Sequence, residues 1–158
     1  MIRTFFVFVF LILSFNAKAL IEVDITRGNL NPLPIAVSPL SIDEESRKNF
    51  EKILKKKNIG SEISKIVEKN LKTSGLFNPL NKDAFLQAPD IANLKPRFED
   101  WNLIKAQALI TGKVNLINEK LRVEFRLWDV LAGKEMMALA FTTVPNNWRR
   151  VGHIITDK

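Results

Sequence analysis

The chain has no cysteine and no tyrosine, a single histidine, and only six glycines in 158 residues. Without cysteine there is no disulfide framework and no thiolate metal or redox site. The lone imidazole, His153, lacks the orienting partner and nearby nucleophile that histidine catalysis needs, and its place near an apolar helical stripe suits a packing or surface role. No Gly-x-Ser-x-Gly elbow occurs. Neither Gly112-Lys113 nor Gly133-Lys134 continues into Ser or Thr, or has a glycine five positions earlier, so serine-hydrolase elbows and phosphate loops are excluded. Asp43, Glu44 and Glu45 are consecutive at a helix start and point in different directions, which suits a helix dipole better than a metal ion. We therefore assign no catalytic residue, no metal site and no cofactor, and expect a protein that is not an enzyme.

What is present in excess is positive charge: 24 Lys and Arg against 17 Asp and Glu, a formal +7. Such an excess invites a nucleic-acid or anionic-surface reading. The first nineteen residues change it. Arg3 precedes an apolar run from Phe5 to Phe15 broken only by Ser14, and Ala17-Lys18-Ala19 closes it in an A-x-A pattern. This is the pattern of a secretory signal peptide cleaved after Ala19, because the run falls well short of the roughly 20 apolar residues of a membrane span. Arg3 and Lys18 leave with it and no acid does, so the positive excess drops by two. Export without cysteine fits a bacterial periplasm, argues against nucleic acid as a partner, and predicts a protein peripheral to membranes and not embedded in them.

From Leu20 to Thr26 the residues alternate, with Ile21, Val23 and Ile25 on one side and Leu20, Glu22, Asp24 and Thr26 on the other, as in a strand. A loop holding Gly28, Asn29, Asn31 and Pro32 follows. Ile35, Ala36 and Val37 predict a short buried strand between Pro34 and Pro39. From Asp43 the period becomes helical, through Phe50, Ile53 and Leu54 to Lys55, Lys56 and Lys57, with Asn58 and Gly60 breaking it. A second helix carries Ile63, Ile66, Val67 and Leu71 on one face, with Gly75 placed as its cap.

Phe77 to Pro96, with three prolines, is expected as a long irregular connection, and Phe98, Trp101, Leu103 and Ile104 as a short helix. Three strands then form an antiparallel meander, with turns at Asn118-Glu119 and Ala132-Gly133. In the middle strand Leu121, Val123, Phe125 and Leu127 face the core, while Arg122, Glu124, Arg126 and Trp128 face water. Trp148, Val151, Ile154 and Ile155 begin a last helical stripe within which the sequence stops. The predicted fold class is α+β: a mixed sheet with an antiparallel meander packed on two or three helices. The predicted organisation is a signal peptide at 1–19, a strand and linker at 20–33, and an α/β domain at 34–158 cut within its last helix.

Two surface candidates come from the residues themselves. Arg47, Lys48, Lys52, Lys55, Lys56 and Lys57 form a candidate anionic-binding patch, although acids at the start and bases at the end of a helix also simply complement its dipole. Trp128, on the polar side of its strand, is a candidate exposed contact, whereas Trp101 and Trp148 lie on apolar stripes and are expected in the core.

Five ordered segments resemble the TolB family of the Tol-Pal envelope system: PIAVSPL at 34–40, NLKTSGLFNPL at 70–80, WNLIKAQALITGKV at 101–114, LRVEFRLWDVLAGK at 121–134 and NNWRRVGHIITDK at 146–158. The second is the most specific, since Ser-Gly-x-Phe-x-Pro-Leu after an amphipathic helix is unusual. The basic stretch 43–58 departs from the family's pattern. The resemblance implies an N-terminal α/β domain that in whole family members precedes a β-propeller, the part that contacts the lipoprotein Pal; no repeat of roughly 40 residues occurs here. It also implies that the mature N-terminus, here Leu20, Ile21, Glu22, Val23, Asp24, Ile25 and Thr26, binds the C-terminal domain of TolA. The implied role is a periplasmic adaptor supporting outer-membrane integrity and constriction at cell division. The alternative is a salt-sensitive binding module for an anionic envelope surface or polymer.

Overall fold

A computed structural model describes residues 31–158. Its centre is a mixed sheet of six strands: β1 (Leu33–Val37), β2 (Ser41–Ile42), β3 (Phe77–Pro79), β4 (Ala108–Ile117), β5 (Lys120–Asp129) and β6 (Lys134–Thr143). The order is β3-β1-β4-β5-β6, with β2 pairing β4 beyond the end of β1. β1 is parallel to both β3 and β4, and β2 is parallel to β4. The meander β4-β5-β6 is antiparallel. The expected α+β class and meander are both observed.

The helices are α1 (Glu44–Leu54), α2 (Ile59–Thr73), α3 (Pro89–Leu94), α4 (Phe98–Leu103) and α5 (Trp148–Thr156). Asp43 caps α1: its carboxylate accepts from the Ser46 amide at 2.7 Å and the Ser46 hydroxyl at 2.8 Å. That hydroxyl in turn accepts from the Leu116 amide at 2.8 Å, so the cap also ties α1 to β4. α1 stops at Leu54, because Lys55 takes the left-handed conformation at φ 56°. The three lysines thus follow the helix instead of completing it.

Asn58 does mark a break, as the N-cap of α2, its side chain accepting from Ser61 N. Gly60, expected as part of that break, lies inside α2. It is there because a Cβ would collide with the backbone carbonyl of Leu40. Gly75 ends the α2 region at φ 74° as expected, its N–H donating to the Lys72 carbonyl at 3.2 Å.

One face of the sheet carries the main core. Ile35, Val37, Ile110, Val114, Leu121, Val123 and Phe125 meet Phe50 of α1, Ile59, Ile63, Val67 and Leu71 of α2, and Trp148, Val151 and Ile155 of α5. The expected alternation of β5 therefore sets its inward face. The opposite face is not simply wet. Ala36, Leu109, Trp128 and Val130 pack there with Trp101, Ala106, Phe85 and Phe98 in a second, smaller core.

That second layer is built partly from the stretch expected as irregular and partly from the short helix expected at Phe98, Trp101, Leu103 and Ile104, which is observed as α4. Phe77–Pro79 is a parallel strand on β1, and the turn at 82–84 and the short helices α3 and α4 fold back over the sheet. Gln87, buried, holds this layer: it accepts from Trp101 Nε1 at 3.0 Å and donates to Asp100 at 3.1 Å.

Candidate functional site

The segment 20–26, read as a partner-binding strand, and residues 1–19, read as a signal peptide, lie outside the described residues. The description begins at Asn31, directly before β1, which runs between β3 and β4.

The basic candidates on and after α1 do not act as one block. Arg47 approaches Glu44 at 3.5 Å, and Lys57 approaches Glu51 at 3.4 Å. Lys56 is 4.0 Å from Glu62 and sits over the Trp148 ring, 5.4 Å from its centroid. Lys48, Lys52 and Lys55 are exposed and have no carboxylate partner within 4.0 Å among the described residues. Half of the patch is thus locally balanced, and the remaining three cations line the solvent side of α1 and its C-terminal cap.

Trp128 is not the exposed contact expected from its strand position. It is 8% exposed, its ring meets Phe98 edge-on at 5.8 Å, and its indole N–H donates to Thr111 Oγ1 at 2.8 Å. Phe98, which covers the ring, lies on α4, remote in sequence, so the alternation of β5 alone could not reveal it. Trp101 and Trp148 are buried as expected, and His153 is an exposed residue beside Asn70, 2.9 Å from its side-chain amide.

Charged clusters on the sheet are structural in character. Glu124 accepts from Arg122 Nε at 2.8 Å and lies 3.4 Å from Lys113. The Arg122 hydrogen bond outweighs partial burial and holds this carboxyl below the usual glutamate range, with Lys113 adding to it. Glu62 is likewise held down, chiefly by its hydrogen bond from Lys65, with Lys56 and Arg149 contributing at longer range. Among the described residues no group of three or more metal-ligating side chains converges.

An apolar groove of about 500 Å³ lies on the main-core side of the sheet. Its floor is Ile110, Phe125 and Leu127, Leu71 and Phe77 wall one side, and Leu131, Met136 and Met137 the other. The sequence reading missed it. The available signal was that apolar residues occur at both parities along Met136, Met137, Ala138, Leu139, Ala140 and Phe141, a strand apolar on both faces.

Comparison with known proteins bears on this arrangement directly. The TolB amino-terminal domain family matches residues 21–136. The chain belongs to the TolB amino-terminal domain family. A relative described as Tol-Pal system protein TolB, from Pelagibacter ubique (strain HTCC1062), is 75% identical over all 158 residues. The chain spans 35% of that relative's length. Among solved structures, TolB from Acinetobacter baumannii superposes with a TM-score of 0.58 at 20% identity, over 80% of this chain and 27% of that one. This second likeness shows a shared fold, so the sheet and its two helical layers are the TolB amino-terminal arrangement. No helix among the described residues is long and apolar enough to cross a membrane.

Proposed function

We propose that the chain is the N-terminal module of a non-enzymatic periplasmic adaptor in the Tol-Pal system, binding the C-terminal domain of TolA through residues 20–26. The observation that carries this reading is the 75% identity, across the whole chain, to a protein described as Tol-Pal system protein TolB. Strand addition supplies the mechanism. A segment alternating Ile21, Val23 and Ile25 with polar residues can pair along another sheet's edge, backbone hydrogen bonds giving affinity and the aliphatic positions giving register. The Gly28-Asn29 loop that follows allows the segment to be presented away from the domain, so its availability can be switched by order and disorder. The system-level role is maintenance of the outer membrane and its constriction at division, with the Pal contact belonging to a propeller that this sequence does not include.

Calorimetry with the purified C-terminal domain of TolA tests the reading. Deleting residues 20–26 should abolish the binding heat while leaving the thermal unfolding transition of the rest within a few degrees. Unchanged affinity after the deletion overturns it.

A second reading is favoured by one observation: Lys48, Lys52 and Lys55 are exposed and have no carboxylate partner among the described residues. These would give salt-sensitive attraction to an anionic envelope surface, each cation contributing about 1 kcal/mol close to it. Sedimentation with phosphatidylglycerol vesicles that fails to weaken as salt rises, or is untouched by charge reversal at the three lysines, excludes it.

A further inference from the structure

We propose that the groove between α2 and α5 is a docking site for an extended, acidic segment of a partner protein. The two helices lie side by side and run in the same direction. Lys56 links Glu62 to the Trp148 ring near their starts, Gly152 meets Ile66, and further along His153 and Thr156 meet Asn70. Gly152 permits the approach, since a Cβ there would lie 2.9 Å from the Ile66 side chain. The groove beside this contact has a volume of about 390 Å³ and is walled by Lys65 and Lys69 on α2 and by Arg149 and His153 on α5.

Helical spacing lays these groups out in two rows. Lys65, Lys69 and Lys72 follow at intervals of four and three along α2, and Arg149 and His153 at four along α5, so each set shares a helix face. All five are exposed. The nearby carboxylates do not cancel them. Glu62 is held by Lys65 at 3.0 Å with Lys56 at 4.0 Å, and Glu68 is held by Lys82 at 2.9 Å. Lys69, Lys72 and Arg149 have no carboxylate within 4.0 Å among the described residues.

His153 adds a neutral donor, and the bonds around it show which nitrogen supplies it. Thr156 Oγ1 donates its one proton to the His153 carbonyl at 2.8 Å, so toward the Asn70 amide, at 3.0 Å, it accepts. That sets the side-chain nitrogen of Asn70 on this side, and the same nitrogen donates to His153 Nδ1 at 2.9 Å. The neutral ring therefore carries its proton on Nε2, a tautomer that follows from the network.

Ammonium, guanidinium and imidazole donors facing one groove call for carboxylates. The groove has about the volume of a single helical turn, so an extended chain settles in it and a helix does not. Successive side chains of an extended chain point to opposite sides, so a run of consecutive acids meets the α2 row with one parity and the α5 row with the other. Carboxylates on the same side recur about every 6.7 Å, close to the roughly 6 Å that separates Lys65 from Lys69, and Arg149 from His153, along their axes. A bilayer, being flat, would meet the outermost cations and leave the space between the rows unfilled. The site uses neither residues 20–26 nor the lysines of α1, so it does not rest on the TolA reading and survives its failure.

The test uses the sole imidazole of the 158-residue protein as its reporter, because one histidine gives one set of ring resonances. An acetylated and amidated pentaglutamate peptide, added at constant alkaline pH, should move those resonances and give a saturable calorimetric Kd. Lys69→Glu with Arg149→Glu should raise that Kd by at least about tenfold, and each reversal alone should act in the same direction, which keeps the test open if the double variant fails to fold. Lys69→Arg should hold the Kd within about twofold, and so should Lys48→Glu with Lys52→Glu on α1, which changes the net charge as much as the groove pair does. Inorganic phosphate and phosphatidylglycerol vesicles of matched charge should leave the histidine resonances in place. Resonances that do not respond to the peptide overturn the proposal, as do an equal loss from the α1 pair and an equal response to phosphate or to vesicles.

Discussion

The indole N–H of Trp128 donates to Thr111 Oγ1 at 2.8 Å across the β4–β5 pair, with Thr111 wholly buried and Trp128 nearly so. The two residues sit on the second face of the sheet, where Phe98 closes over the ring. A polar handle on an otherwise apolar layer is stable only while it is bonded.

Thr111→Val keeps the shape and removes the acceptor, stranding the indole N–H, and should cost about 1–3 kcal/mol. Trp128→Phe in the same background removes the stranded donor as well. Urea denaturation of the two single variants and the double should therefore show strong coupling, with the double less destabilised than the sum. Strict additivity would mean the bond contributes nothing.

The same pair explains how far the sequence was legible. Alternation in β5 identifies Leu121, Val123 and Phe125 as core, since period two belongs to the strand itself. Whether Trp128 on the other face is wet depends on Phe98 of α4, a short helix legible in the sequence whose docking over the sheet is not. β3 was hidden for a related reason: three residues containing Asn78 and Pro79 carry no alternation, and only their pairing with β1 makes them a strand. Helix limits were legible where a side chain makes the cap, as at Asp43 and Asn58. Gly60 misled because its reason, the close approach of Leu40, is tertiary. The groove gathers residues from β1 through α5, and no local window contains it.

The Asp43 cap gives a pH signature. Burial pushes its carboxyl up, but bonds from the Ser46 amide and hydroxyl and from neighbouring amides together hold it below the ordinary aspartate range. A carboxyl with a lowered folded value binds fewer protons than the unfolded chain does. Its contribution is thus complete above the unfolded aspartate range and is lost as pH falls through the lower folded value. Asp43→Ala should cost about 1 kcal/mol at neutral pH. Midpoints measured across acid pH should converge for the wild type and this variant, and a constant gap would refute the assignment.

Gly60 tests the packing of α2 against the segment after β1. Alanine is normally the better helix residue by about 1 kcal/mol, so an open site would be stabilised by Gly60→Ala. Here the new methyl meets the Leu40 carbonyl, a backbone group that cannot rotate away. We expect the opposite sign, a loss of about 1–3 kcal/mol from overpacking, read as a lower denaturant midpoint.

Within the TolA reading, the side facing the added strand's core should matter more than the solvent side. Val23→Asp places a charge among the aliphatic register positions and should weaken calorimetric affinity by at least about tenfold, or 1.4 kcal/mol. Glu22→Lys, on the alternate side, should change it less and in a salt-dependent way. Equal losses from both would point to a non-strand mode of binding.

The β4–β5 hairpin contains a correctable strain. Ile117 pairs with Lys120, leaving Asn118 and Glu119 as a two-residue turn at φ 49° and 60°. This is the turn that favours Asn-Gly. Asparagine tolerates the left-handed region, but for glutamate it costs about 1–2 kcal/mol. Glu119→Gly relieves that strain and gives back roughly 0.5–1 kcal/mol as added freedom of the unfolded chain, for a net gain of about 0.5 kcal/mol. Glu119→Val, β-branched and equally confined, should instead destabilise. Opposite movements of the thermal midpoint in these two variants would establish that the strain lies in the backbone at this position, because neither substitution removes an ion pair of Glu119 among those identified.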